Sequence, residues 1–387
     1  MSVVHILIIF VAKLFATNII AMKSNPFKFG TLVSDPYFTD REKEIKQVES
    51  ILNSANHLII IGPRRFGKTS LVFKAMESIH RPILFVDMQL INSSVDLASQ
   101  LLKKVFRNYP SQKLRTQIRN FRIVPSLTIN PISNEIEVMF NPFKASGNAE
   151  LEDVLNLIDQ LGKSHKKPVI ILDEFQEVFR IDKNLIRQLR SIMQTHQNCN
   201  YVFLGSQESM IREIFEKKKS PFYHFGIVLA LEKIPAKLFS EYLSVRLTGI
   251  AKNPDLLAKQ ILEISGSHPY FTQQLAFFVW EVLSFDPKNS IPVDQALDDL
   301  IRTQDHTYER LFNTLNTTDR KLMIGMVQSD AQPMSKEFSP QVELLPVSTI
   351  YSSLKRLVKE GYLLKNKSSY SIDDVFFKIW LIRRLKG

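Results

Sequence analysis

The chain has a single cysteine, Cys199, in 387 residues. No intrachain disulfide can form, so a disulfide-stapled secreted scaffold is excluded and a reducing compartment fits. No apolar run is long enough to cross a bilayer. Residues 3–12 come nearest, and Lys13 interrupts them after about half the required length. No lysine or arginine precedes that run, so it lacks the basic start of a secretory signal. Heptads, low-complexity tracts and internal repeats are also missing, which removes coiled coils and solenoids. Glycine is scarce, with 12 in the whole chain. Two of them frame one short loop, and that loop is the most informative segment.

The rest of the composition is ordinary for a folded protein. Hydrophobic residues make up 44% and charged residues 23%, enough apolar surface for a real core. The length suggests about two to three domains. The net charge of +11 permits a polyanionic partner, but lysine and arginine are spread along the whole chain, so charge alone identifies none.

The framed loop is Gly62-Pro63-Arg64-Arg65-Phe66-Gly67-Lys68-Thr69, followed by Ser70. It comes directly after the apolar run His57-Leu58-Ile59-Ile60-Ile61 and opens the helix-like Ser70-Leu71-Val72-Phe73-Lys74-Ala75-Met76. Strand, loop and helix stand in the order a phosphate loop needs. Backbone N–H groups from Gly62 to Ser70 can cradle the β-phosphate of ATP. Lys68 can reach the β- and γ-phosphates, and the Thr69 hydroxyl can ligate Mg²⁺. The plain alternative is a chance match in an ordinary strand-to-helix turn, and the flanking context argues against it. Arg64 and Arg65 can contact phosphate or pair with carboxylates to hold the loop's shape. The second is preferred, because Lys68 and the backbone already supply phosphate contacts.

A phosphate loop needs a second acidic element for Mg²⁺. Pro168-Val169-Ile170-Ile171-Leu172-Asp173-Glu174 is a buried strand ending in two carboxylates. Asp173 is placed to hold the metal, and Glu174 to polarise an attacking water. The alternative for Asp173 is capping a helix over residues 175–180. Ser206 ends another apolar strand, residues 200–205, and can meet the γ-phosphate or the water, or cap the helix after it.

Elsewhere the pattern divides the chain. Thr39 or Asp40 can cap a helix that carries Ile45, Val48, Ile51 and Leu52 on one face. Residues 82–87 read as a strand, and 95–106 and 151–161 as helices. Residues 110–148 read as a β-hairpin insertion that turns at 130–134. Strands alternating with helices predict a parallel sheet with helices on both faces. From about residue 235 strands stop, and residues 235–313 read as helices broken at Ser265-Gly266-Ser267-His268-Pro269. Helices over 318–327 and 348–360, a Gly361 cap and two short strands at 362–365 and 370–372 predict a winged helix. On its second helix Ile350, Leu354, Leu357 and Val358 form an apolar face. Ser352, Ser353, Lys355, Arg356 and Lys359 fall largely off it, where a recognition helix contacts DNA phosphates. Such a face is also compatible with plain solvation, or with packing on the chain's own ATPase core.

These residues resemble the archaeal-type ATPases of the AAA+ and STAND superfamily. The resemblance rests on Asn25-Pro26-Phe27-Lys28-Phe29-Gly30, Phe38-Thr39-Asp40-Arg41-Glu42 and the phosphate loop through Leu71. Further pieces are Ile170-Ile171-Leu172-Asp173-Glu174-Phe175-Gln176, Phe203-Leu204-Gly205-Ser206, Gly266-Ser267-His268-Pro269-Tyr270 and the closing 374–381. It implies a P-loop NTPase core over 22–232, a helical lid over 233–313 and a C-terminal winged helix over 314–387. It implies that His268 and Pro269 touch the nucleotide from the lid. Relatives often carry Ser-Pro-Leu-Tyr-Gly-Arg where this chain has Ser220-Pro221-Phe222-Tyr223-His224-Phe225. If that arginine acts as a charge-stabilising finger, its loss bears on turnover, and Arg212 has nothing to place it as a substitute.

The expected function is therefore ATP binding with slow or conditional hydrolysis, coupled to lid and winged-helix position. The alternative is a nucleotide-gated switch without useful turnover that acts on DNA or protein. A protein partner or homo-oligomer is open. The expected compartment is the cytoplasm, because export separates an ATPase from its substrate, and no stable membrane insertion is expected. Met22 is the expected initiator, with residues 1–21 a non-native extension; a peripheral hydrophobic anchor is the alternative.

Overall fold

The structure is a computed structural model, and it describes residues 24–109, 112–132, 135–141, 148–338, 345–366 and 369–386. The expectations for residues 1–21 and Met22 lie outside the described residues. The chain divides into two compact units. Of the described residues, one holds Leu32–Ser34 and Asp40–Lys233; the other holds residues 24–31, Asp35–Thr39 and those from Ile234 onward.

The first unit begins with α1 (Glu42–Asn53), β1 (Leu58–Ile61), α2 (Lys68–Ile79), β2 (Ile83–Asp87) and α3 (Ser94–Asn108). Next come α4 (Gln112–Ile118), β3 (Ser126–Ile129), β4 (Ile136–Met139), α5 (Asn148–Ser164) and β5 (Val169–Asp173). It ends with α6 (Val178–Ile181), α7 (Leu185–Met193), β6 (Asn200–Gly205), α8 (Glu208–Phe215) and β7 (Ile227–Ala230). Five strands form one parallel sheet in the order β2-β5-β6-β1-β7.

Period-two alternation feeds two cores from the same strands. Ile59, Ile61, Ile170, Leu172, Tyr201 and Phe203 enter one cluster. Leu58, Ile60, Val169, Ile171, Val202 and Leu204 enter the other. Helices cover both faces, which is why the strands read as continuous apolar runs. The insertion contains the expected antiparallel hairpin, β3 against β4, with Leu127 opposite Val138, but it opens with the helix α4, which the sequence reading did not give.

Three local expectations need correction. Neither Thr39 nor Asp40 caps α1: Arg41 takes the cap position with a left-handed φ of 73° and makes no side-chain cap. The chain after Asp173 does not open directly into a helix. Glu174 turns left-handed at φ 51°, a 3₁₀ turn covers Phe175–Glu177, and only then does α6 begin. The edge strand β7 was not anticipated; its four residues are apolar, and only Leu229 is half-buried against the core while the others are exposed.

The second unit contains α9 (Ala236–Leu247), α10 (Pro254–Ser265), α11 (Pro269–Phe285) and α12 (Pro292–Thr314). Then follow α13 (Thr317–Gln328), α14 (Val347–Glu360), the hairpin β8 (Leu363–Asn366) and β9 (Ser369–Ile372), and α15 (Val375–Lys386). The predicted break is real: Gly266 ends α10 left-handed, and the His268 ring accepts the Tyr270 N–H at 3.2 Å to start α11. Gly361 closes α14 at φ 83°. Behind α14, the buried carboxylate of Asp319 accepts two bonds from Arg356, both 2.7 Å, and one from Ser353. Asn316 adds a fourth donor to it at 2.8 Å.

This corrects the phosphate-contact set. Ser353 is fully buried and Arg356 is committed to Asp319, so Lys355 and Lys359 are the exposed cations left on that face of α14. Among the described residues, no helix is long and apolar enough to cross a membrane.

Candidate functional site

The loop after β1 runs into α2 through Gly67, which sits at φ 83° where a side chain is strained. Arg65 also has a positive φ of 62°. Arg64 and Arg65 are exposed, and Phe66 points the other way into the core beside Leu71 and Val72. Only the backbone of Phe66 can therefore face a ligand. Ser70 is buried, and its hydroxyl accepts the Val33 N–H at 3.1 Å.

Lys68 is 6% exposed, and its ammonium donates to the carbonyls of Gly62 at 2.9 Å and Pro63 at 2.8 Å. Burial pushes its pKa below the ordinary lysine value; the Glu174 and Asp173 carboxylates pull it back, and Arg64 lowers it further. Neutral carbonyls are weaker partners for this cation than phosphate oxygens.

Parallel pairing brings the end of β5 to the loop. Thr69 Oγ1 donates to Asp173 Oδ2 at 2.7 Å, across 104 positions of sequence. Burial raises the Asp173 pKa, the Thr69 bond opposes that rise, and the neighbouring Glu174 charge adds to it. A hydroxyl and a carboxylate are hard oxygen donors, the set that suits Mg²⁺ held by one or two protein ligands. β6 lies beside β5, so Ser206 meets Glu174. Its hydroxyl donates to Glu174 Oε2 at 2.6 Å, and its N–H approaches the same oxygen at 3.3 Å. Ser206 therefore does not spend its hydroxyl on capping α8.

Lys68, Thr69, Asp173, Glu174 and Ser206 thus gather at the carboxyl ends of three neighbouring parallel strands, where open α/β sheets bind ligands. His268 and Pro269 belong to the second unit, where the His268 ring packs on Phe271 at 4.4 Å.

The sequence reading missed Gln176, whose amide donates to Glu174 Oε2 at 2.5 Å. The only signal was its place two residues past the carboxylate pair. Arg212 is paired on α8 with Glu208 at 2.7 Å and Glu216 at 2.6 Å.

Two other clusters carry less chemistry. A cavity of about 530 Å³ lies at the starts of α13 and α14, lined by hydroxyls such as Thr317, Thr318, Ser348 and Thr349. Its one charged lining group is Arg356, which is already paired. Asp159, His196 and Cys199 also lie together. There both His196 nitrogens are bonded, to Tyr201 and Asn156, and Asp159 accepts the Gln197 and Asn198 N–H groups. Burial pushes the Cys199 thiol up to about 12, away from the thiolate a metal needs.

Residues 38–275 match the family model described as an ATPase domain predominantly from Archaea. The chain belongs to this ATPase family. Residues 306–383 match a second model, described as "Probable winged helix domain". An uncharacterised protein of Methanocaldococcus jannaschii is 24% identical over 350 residues, 85% of this chain and 66% of that protein. An uncharacterised ATP-binding protein of Pyrococcus abyssi is 22% identical over 191 residues, 46% of this chain and 55% of that protein. The chain thus spans between about half and two thirds of the length of these curated relatives. Among solved structures, a Walker-type ATPase of Pyrococcus abyssi superposes with a TM-score of 0.66 at 17% identity, covering 92% of this chain and 99% of that one. That likeness supports the P-loop fold with its parallel sheet and flanking helices.

Proposed function

We propose that this family member hydrolyses ATP slowly or conditionally, with Mg²⁺, and that its nucleotide state is coupled to the helices over 236–314 and to the winged helix. The observation that carries the reading is the convergence of Lys68, Thr69, Asp173, Glu174 and Ser206 at one end of the sheet. Lys68 and the loop backbone bind the phosphates. Thr69 and Asp173 hold the metal, which supplies charge neutralisation on the phosphate oxygens. Glu174 polarises a water that attacks the γ-phosphorus. The bond to the β–γ bridging oxygen breaks, ADP leaves with that electron pair, and a water proton passes to the carboxylate. On the resemblance, His268 and Pro269 contribute nucleotide contacts from the helical segment.

Glu174→Gln tests this. ATP affinity should persist while turnover falls at least about tenfold. Equal turnover in both proteins removes Glu174 from the mechanism.

The second reading is a switch without useful turnover, with output through DNA or protein. The exposed Lys355 and Lys359 on α14 favour a polyanion for that output. A wild-type chain that binds ATP, does not turn it over, and changes its duplex affinity with nucleotide selects this reading.

A further inference from the structure

Glu174 carries all its side-chain hydrogen bonds on one oxygen. Oε2 accepts from Ser206 Oγ at 2.6 Å, Ser206 N at 3.3 Å and Gln176 Nε2 at 2.5 Å. Oε1 accepts none among the described residues. The two donors arrive from different elements: Ser206 from the end of β6, Gln176 from the 3₁₀ turn after β5.

Gln176 is 1% exposed, and among the described residues its carboxamide oxygen has no hydrogen-bond partner. That oxygen lies against Gly205, where an added Cβ would come within 2.9 Å of it. The same Cβ would run still harder into the Ile211 side chain, so Gly205 leaves space that Ile211 and Gln176 share. A buried amide with an orphan acceptor is unfavourable for folding. Methionine, of nearly the same size and shape, would fill the space without it. Packing therefore does not explain a glutamine here, whereas its bond to Glu174 does.

We infer that Gln176 is a positioning residue for ATP hydrolysis: with Ser206 it pins Oε2 of Glu174, leaving Oε1 as the oxygen that orients the attacking water. The inference rests on the hydrolysis reading above. Two fixed donors on one carboxylate oxygen stop the group from rotating. A water held by the other oxygen then has one direction of approach, and positioning of this kind lowers a barrier without changing substrate affinity.

Gln176→Met removes the donor and keeps the bulk. Turnover should fall about tenfold or more, with KM and ATP Kd within about twofold of wild type. The melting temperature should hold or rise, since the orphan acceptor is gone. Adding Gln176→Met to Glu174→Gln should slow the enzyme no further. The inference is overturned if Glu174→Gln collapses turnover while Gln176→Met leaves it intact. It is also overturned if activity and melting temperature fall together, the mark of a purely structural role. If the methionine variant does not fold, Gln176→Ala removes the same donor with less bulk and is read in the same way. A wild-type chain without turnover, or one indifferent to Glu174→Gln, fails at the earlier step and takes this inference with it.

Discussion

Phe225 stacks on His57, with ring centroids 4.6 Å apart and planes 29° from parallel. His57 immediately precedes β1 and Phe225 lies just before β7, which pairs in parallel with β1. Both therefore sit at the amino ends of their strands, while the phosphate loop leaves the carboxyl end of β1. Position 225 is one strand length from Lys68, roughly 13 Å for four residues. An arginine at that position cannot serve the γ-phosphate bound by its own subunit. The departure that put turnover in question thus says nothing against hydrolysis within one chain.

Phe225→Arg should accordingly give no gain in turnover. It should lower stability by about 1–3 kcal/mol, because it sets a cation beside His57 and the Arg190 guanidinium, which lies 4.8 Å over the ring. Steady-state ATPase rates and a urea melt check both halves. A rate increase in dilute monomer would contradict the placement.

Lys68→Ala should weaken ATP binding by at least about 10- to 100-fold, the span of one charge-assisted hydrogen bond. Calorimetry reads this directly. Unchanged affinity would remove the loop from nucleotide binding.

The His57 pKa is lowered to about 4 from 6.5, chiefly by burial, with His196 and Arg190 adding repulsion. Between those two values the unfolded chain takes a proton that the folded chain refuses, so stability falls as pH drops from 6.5 toward 4. The slope from this group is at most about 1.4 kcal/mol per pH unit. His57→Phe keeps the stack and should flatten the curve in that window, measured by denaturant melts from pH 7 to 4. An unchanged slope would mean that His57 titrates normally.

If the winged helix binds duplex DNA, Lys355→Ala with Lys359→Ala should reduce the slope of log affinity against log salt by roughly 1.8, two contacts at about 0.9 each. ATP affinity should be nearly unaffected. No binding by wild type at about 50 mM salt, where electrostatic attachment is favoured, would dismiss duplex DNA as the output.

The site's skeleton was legible because its chemistry terminates apolar runs. Lys68 and Thr69 follow one buried strand, and Asp173 and Glu174 end another; parallel pairing does the rest. Long-range partnerships were not legible. Nothing near Arg356 in sequence announces that Asp319, 37 positions away, will claim it. Nor does anything near Ser206 announce that its hydroxyl goes to Glu174 rather than to a helix end. β7 escaped for a different reason: its run, Ile227-Val228-Leu229-Ala230, is as apolar as its neighbours', but it is short, mostly exposed at the sheet edge, and carries no site residue at its end. The distance of position 225 from the loop was not legible either, because a motif gives order along the chain, not which end of a strand a residue occupies.

The carboxylate of Asp319, 1% exposed, meets Ser353 and Arg356 on adjacent turns of α14. A shift of one residue rotates a helix by about 100°, which would carry both donors away and strand a charge in the interior. Asp319 thus works as a key in a keyway, admitting one angular setting of α14 and refusing its neighbours. The face that α14 turns outward is chosen from behind, by a side chain that nothing outside can touch. A substitution there would change which residues α14 turns outward without altering any of those residues.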